Sequence, residues 1–166
     1  MLYSEYLTPL TRIEDQLSKC SQEQLHHTNE GKWSILQHLY HCLMVEKGVL
    51  AYIKLKIQDP SALVNISLVT RLKFVLFFTM LRFGLLKVKA PKIVQKFPKK
   101  MSVKDLMVTW ESTRQESEAF FLKLSVHHAK KGIFRHMFIG RLNKNLTLKF
   151  IELHLVHHLR LCKLKP

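Results

Sequence analysis

Between Leu146 and Lys163 the chain reads LTLKFIELHLVHHLRLCK, and its chemistry lies in two histidines four residues apart, His154 and His158. On a helix of ~3.6 residues per turn the two imidazoles stand one above the other. Phe150, Ile151, Leu155 and Leu161 flank them on one apolar stripe, so both rings are expected to point inward. Glu152, Lys149, Arg160 and Lys163 fall on the opposite side, and His157 falls at the edge of the stripe. Neutral imidazole is the commonest protein ligand for transition metals, and an i, i+4 pair on a helix is a metal-ligand spacing. The pair alone leaves two readings open: a shared metal ion, or two core histidines satisfied by hydrogen bonds. A buried polar nitrogen left unpartnered costs about 1–3 kcal/mol, and a shared ion would offset that cost. No glutamate stands between the two, so a peptidase of the H-E-x-x-H type, which takes its general base from that glutamate, is not expected.

Other residues with chemical potential have plainer readings. His38 lies one turn before His41 and shares a face with Cys42 and Lys56, which reads as an edge position, with support of the site as the alternative. Cys162, at i+4 from His158, is either a soft fourth ligand or core, and buried cysteines at helix ends are more often core. His157 either orients a ligand through a hydrogen bond or stays half exposed. Glu46, five residues after His41, points off that histidine's face and is a weak candidate for a general base. The pairs His26/His27 and His127/His128 fall in loops and carry no role.

The elements that must position these residues follow from periodicity and punctuation. The chain has 166 residues, 47% of them hydrophobic, with only five glycines and five prolines. Long stretches without turn signals, and no alternation of strand and helix, point to one all-α domain over residues 1–166. A first helix is expected over about Leu2–Leu25, where Leu7, Leu10, Ile13, Leu17 and Cys20 recur every three or four positions, with Pro9 marking a kink or a later start. After a polar loop over His26–Lys32, Ser34 is the expected N-cap of a second helix running to about Gln58. That helix carries two apolar faces, Leu36, Leu39, Leu43, Leu50 and Ile57 on one and His41, Val45, Gly48, Tyr52 and Leu55 on the other, as befits the middle of a bundle. A third helix spans Ile66–Leu86, and an extended, exposed connection follows through the lysines and prolines of residues 87–100. Ser102 with Asp105 resembles a capping box that opens a fourth long helix. Residues 126–145 read as a second long basic loop before the closing helix.

The formal charge of +15 is unevenly placed. Residues 1–59 hold seven acids and six bases, residues 105–166 five acids and eleven bases, and Pro60–Lys104 ten bases and no acid. Such a block either attracts nucleic acid, anionic lipid or an anionic substrate, or only keeps the protein soluble. Ile66–Leu86 has about the length of a bilayer span, but Arg71, Lys73 and Arg82 interrupt it at roughly 2.5–3.5 kcal/mol each near a helix centre. A buried amphipathic helix with snorkelling cations is expected there, and binding at a membrane surface is the minor alternative. Cys20, Cys42 and Cys162 are an odd number without framework spacing, and the N-terminus lacks a basic flank followed by an apolar run, so a reduced, cytoplasmic setting is expected.

Three stretches carry a family resemblance. KWSILQHLYHCLMVEK, with Trp33 and Ser34 followed by His41 eight residues after the tryptophan, resembles the second helix of the DinB-like superfamily. HLVHH at 154–158 resembles its closing H-x-x-H-H signature, and HMFIGRL from His136 to Leu142 is similar to the H-P-x-F-G-x-L loop of one branch. The resemblance implies a four-helix bundle, here with an additional helical segment and long basic loops. It also implies one divalent metal ion, zinc or nickel, held by His41, His154 and His158. Three histidines with an open coordination position suit a catalytic metal, and the family's better-understood branches point to a hydrolase or thiol transferase acting on a small molecule, a thiol or an anionic one. Two positions depart from the branch pattern: Leu161 stands where glutamine is usual, and Met137 where proline is usual. Both leave the substrate open. The rival expectation is a non-enzymatic helical protein that docks residues 60–104 on nucleic acid or an anionic membrane, with steep salt dependence. No recognisable reading module is present, so specific nucleic-acid binding is not expected, and monomer and homodimer stay equally open.

Overall fold

The computed structural model describes residues 6–28, 31–85, 97–98, 100, 102–124, 128 and 130–166. Among them are six helices: α1 (Leu10–Ser18), α2 (Gln22–His26), α3 (Ile35–Lys56), α4 (Leu68–Arg82), α5 (Val103–Lys123) and α6 (Lys144–Leu161). A short 3-10 turn at Pro60–Ala62 and a two-stranded antiparallel hairpin, β1 (Phe134–His136) and β2 (Gly140–Leu142), complete the described elements.

Side chains start most of these helices. Ser34 accepts from the Gln37 backbone N–H while the Gln37 side chain accepts from the Ser34 N–H, a reciprocal cap that fixes the first turn of α3. Asn143 caps α6 through the Leu146 N–H, Ser102 caps α5 through Asp105, and Ser67 caps α4 through Thr70. α3 lies in the middle, packed against α5 on one side and α6 on the other, with α1 against α5 and α2 against α3. One core cluster joins Ile13 and Leu17 of α1, Leu36, Leu39 and Leu43 of α3, Leu106 and Trp110 of α5, and Leu155 and Leu159 of α6. The other end of the bundle is closed by Phe74 and Phe78 of α4 and by Ile133, Ile139 and Leu142 around the hairpin, all packed on Phe150 and Ile151.

Several expectations need correction. The single helix over Leu2–Leu25 is divided, because Ser21 and Gln24 form their own reciprocal cap and start α2 afresh. α1 begins just after Pro9, and residues 1–5 lie outside the described set. The second apolar face of α3 is buried only in part: His41 is buried and Val45 half-buried, but Tyr52 and Leu55 are exposed. Cys42, Glu46, Val49 and Ile53 are buried in their stead, which is what a helix flanked by α5 and α6 requires. The expected buried helix over Ile66–Leu86 is α4, and of its residues only Phe74 and Phe78 are buried. The loop expected over residues 126–145 contains the hairpin; Gly140, at φ +100, takes the left-handed turn that β2 starts from. Leu161 is 55% exposed, off the stripe expected to hold it. The extended connection expected over residues 87–100 lies outside the described residues except for Phe97, Pro98 and Lys100.

Candidate metal centre

α3 and α6 run side by side, and their facing surfaces bring together histidines more than a hundred residues apart in sequence. The Nε2 atoms of His41 and His154 stand 3.2 Å apart. One ligand nitrogen from each of His41, His154 and His158 can be chosen so that all three lie within 4.8 Å of one another. His41 and His158 are buried and His154 partly so. Two nitrogens so close must share either a proton or a cation. For comparison, two nitrogens each ~2.0–2.1 Å from one tetrahedral ion stand about 3.3 Å apart, so the His41–His154 spacing fits a shared metal.

The surroundings favour the neutral form of His154 and His158, which is the form that binds a metal. Burial holds His154 well below the ordinary histidine value, reinforced by His41, His157 and His136. Burial likewise pulls His158 down, with His154, His41, His38 and His157 adding to it. Trp33, the residue before the Ser34 cap, covers the cluster: its ring lies 5.0 Å from that of His41, 5.4 Å from His38 and 6.3 Å, nearly parallel, from His158. Phe97 packs edge-on against the same indole. In the sequence Trp33 carries only a family resemblance; its role as a cover shows only once α6 lies beside α3.

The edge position expected for His38 is a correction. Its Nδ1 lies 2.8 Å from Nδ1 of His158, and burial, with His41 and His157, lowers its pKa to about 4. That contact engages one ring nitrogen of His158 and leaves the other for a ligand. His157 is half-buried with its pKa lowered, first by burial and then by Arg160 and His41, and it lies outside the cluster. Cys162 is also outside it; burial raises its thiol pKa to about 12, so it remains protonated. His136 packs against Phe150 and Phe77 and accepts the N–H groups of Phe138 and Ile139 through Nδ1, so it fastens the hairpin turn. The buried Nδ1 of half-buried His128 has no hydrogen-bond partner among the described residues, and His127 lies outside them.

Glu46 is unsuited to act as a base. It is 2% exposed and bound by Arg114, whose Nη2 and Nε donate to its two oxygens at 3.2 and 3.4 Å. Arg114 Nη1 also donates to the Thr8 carbonyl at 2.6 Å, and the Thr8 N–H and hydroxyl donate to Glu152 on α6 at 2.9 and 2.7 Å. This network ties together the two helices that carry the histidines. Sequence reasoning missed it, although a lone glutamate in an apolar stretch of α3 was a signal that a buried cation must lie nearby.

Fold and site together define a helical bundle with a buried three-histidine cluster facing inward from two neighbouring helices. The family model described as the DinB superfamily matches residues 10–162, and the chain belongs to that superfamily, whose fold is a four-helix bundle. No match to a curated protein or to a solved structure accompanies it.

Proposed function

We propose that the chain is a metal-dependent enzyme in which His41, His154 and His158 hold one divalent ion, zinc or nickel, for hydrolysis or thiol transfer on a small molecule, a thiol or an anionic one. The observation that carries this reading is the 3.2 Å approach of the His41 and His154 Nε2 atoms inside a cluster of three imidazoles. Three histidines leave a coordination position open for a reactant, and a divalent ion there supplies Lewis acidity. The remaining steps belong to the chain. His38 Nδ1 lies 2.8 Å from His158 Nδ1 and would orient that ring; with the proton on His158 Nδ1 the other ring nitrogen would be the ligand, made more basic by this hydrogen bond. Trp33 closes one side of the cluster against water. The Glu46–Arg114–Thr8–Glu152 network holds α3 and α6 in register.

The deciding experiment is elemental analysis of protein prepared without a histidine tag. The native chain is expected to retain about one equivalent of divalent metal, and His154→Ala and His158→Ala to lose it while keeping native helical content. Stoichiometric metal in both variants would remove the assignment. A second expectation concerns His38→Ala, which leaves all three ligands in place. Competition with a chelator should show metal affinity lowered about 10–100-fold, the usual effect of losing a partner that orients a ligand. Unchanged affinity would leave the His38 contact without a part in metal binding.

A further inference from the structure

Helix α4 has two apolar faces, and the bundle uses one. Phe74 and Phe78 are buried and Phe77 and Leu81 are packed against the same core. On the other side Leu68, Val69, Leu72, Val75 and Leu76 recur at i, i+1, i+4, i+7 and i+8, a single stripe, and each is between 56% and 82% exposed. Phe83, 69% exposed, continues it past the helix end. At ~100° per residue Arg71 and Arg82 fall along one border of this stripe and Lys73 along the other. Beside it the hairpin turn, stacked on Phe77 through Phe138, presents Met137 and Phe138 at 67% and 51% exposure.

We propose that the outer face of α4 seats the protein in the plane of an anionic lipid bilayer surface. A contiguous apolar stripe bordered on both edges by long cations is what an interfacial helix needs: the leucines and valines enter the headgroup boundary while the arginine and lysine stems reach up to anionic headgroups. Adjoining the stripe is a groove of about 450 Å³ between α4 and α6, which shares Val75 and Arg82 with it. Its other wall includes the α6 row Lys149, Leu153, Val156 and Arg160, which sets a cation at each end of the groove. No acidic residue lies anywhere in Pro60–Lys104.

The same charges argue against the other occupants. A second copy of this chain, itself carrying +15, would set Arg71, Lys73 and Arg82 against their own equivalents. Nucleic acid would find leucine and valine at the centre of the surface, where phosphates need donors. α4, at 15 residues, is about 22 Å long, and no helix among the described residues is long and apolar enough to cross a membrane, which leaves an in-plane position.

The test is cosedimentation of the full chain with vesicles of phosphatidylcholine alone and of phosphatidylcholine mixed with phosphatidylglycerol. Binding to the mixed vesicles is expected, at least about tenfold tighter than to the neutral ones. The double variant Leu72→Glu/Leu76→Glu, at two exposed positions, should keep the native circular dichroism and melting curve and bind at least about tenfold more weakly. Arg71→Gln and Lys73→Gln should each weaken binding roughly fivefold, the factor one cation near an anionic leaflet supplies. Equal binding to both vesicles, or wild-type binding by a folded Leu72→Glu/Leu76→Glu protein, would overturn the proposal. So would a homodimer in solution that the double variant dissociates, since the face would then belong to a second copy. The outcome is independent of the histidine cluster, which lies in the seam between α3 and α6.

Discussion

Replacing Arg114 with methionine is expected to destabilise the fold by about 3–5 kcal/mol, because it strands the Glu46 carboxylate in the core. Glu46 is 2% exposed, Arg114 9%, and both oxygens of Glu46 receive guanidinium hydrogens. A charge so enclosed has no water to turn to once its partner is gone. The Thr8 carbonyl would lose its donor as well, and the indole of Trp110 the cation that lies 5.4 Å from its ring. Glu46→Met should strand the arginine in the same way. In Glu46→Met/Arg114→Met neither charge remains, so the loss should be well below the sum of the single losses, leaving chiefly the Thr8 contact unmet. Urea midpoints of the four proteins check this. Single variants within ~1 kcal/mol of the native chain would mean that the pair is not desolvated as its burial implies.

Acid is expected to begin destabilising the metal-free protein at about pH 6.5, above the range where carboxylates titrate. His38 and His136 are held to about 4, and His154 and His158 also lie below the ordinary 6.5, burial being the first cause in every case. A folded-state value below the unfolded one means that the unfolded chain binds more protons between the two. Stability is therefore complete above about 6.5 and is lost progressively as the pH falls from there toward 4 and below. Each group contributes at most ~1.4 kcal/mol per pH unit. His154 and His158 together add at most ~3 kcal/mol per unit, which is large beside an ordinary stability of about 5–15 kcal/mol. Denaturant titrations at intervals between about pH 7 and about pH 5 measure it, and a flat profile across that window would contradict the burial of the cluster. Bound metal should steepen the fall, since protons then compete with the ion for the same nitrogens.

Much of the site is legible in the order of residues alone. The helical period places His154 and His158 on one inward stripe, and the tryptophan–serine start of α3 puts a cap at Ser34, where it is found. The resemblance to the DinB-like superfamily joins His41 to that pair, and the structure brings the three together. His38 shows where this reasoning stops. On its own helix it shares a face with Cys42 and Lys56, yet the atom that matters to it, Nδ1 of His158, lies 120 positions along the chain. Glu46 fails for the same reason: the helical wheel says which way it points but not that Arg114 waits there. The hairpin escapes such reasoning because three-residue strands are too short to show a period, and its turn depends on a single glycine in the left-handed region.

Helix α4 is the sharpest contrast. Its apolar run made a helix certain to need cover, and a buried position was the natural expectation from sequence. Apolar content states how much surface seeks a partner; it does not state which face finds one. What the sequence determined by itself was local: helix period, caps, the inward pair on α6 and the uneven charge. What only the tertiary structure decided was pairwise: which histidine meets which, which cation neutralises Glu46, and which face of α4 stays bare. The physical reason is that periodicity and capping are settled within a turn or two of chain, whereas desolvation and hydrogen bonding depend on the distances between elements, and those are fixed only when the helices pack.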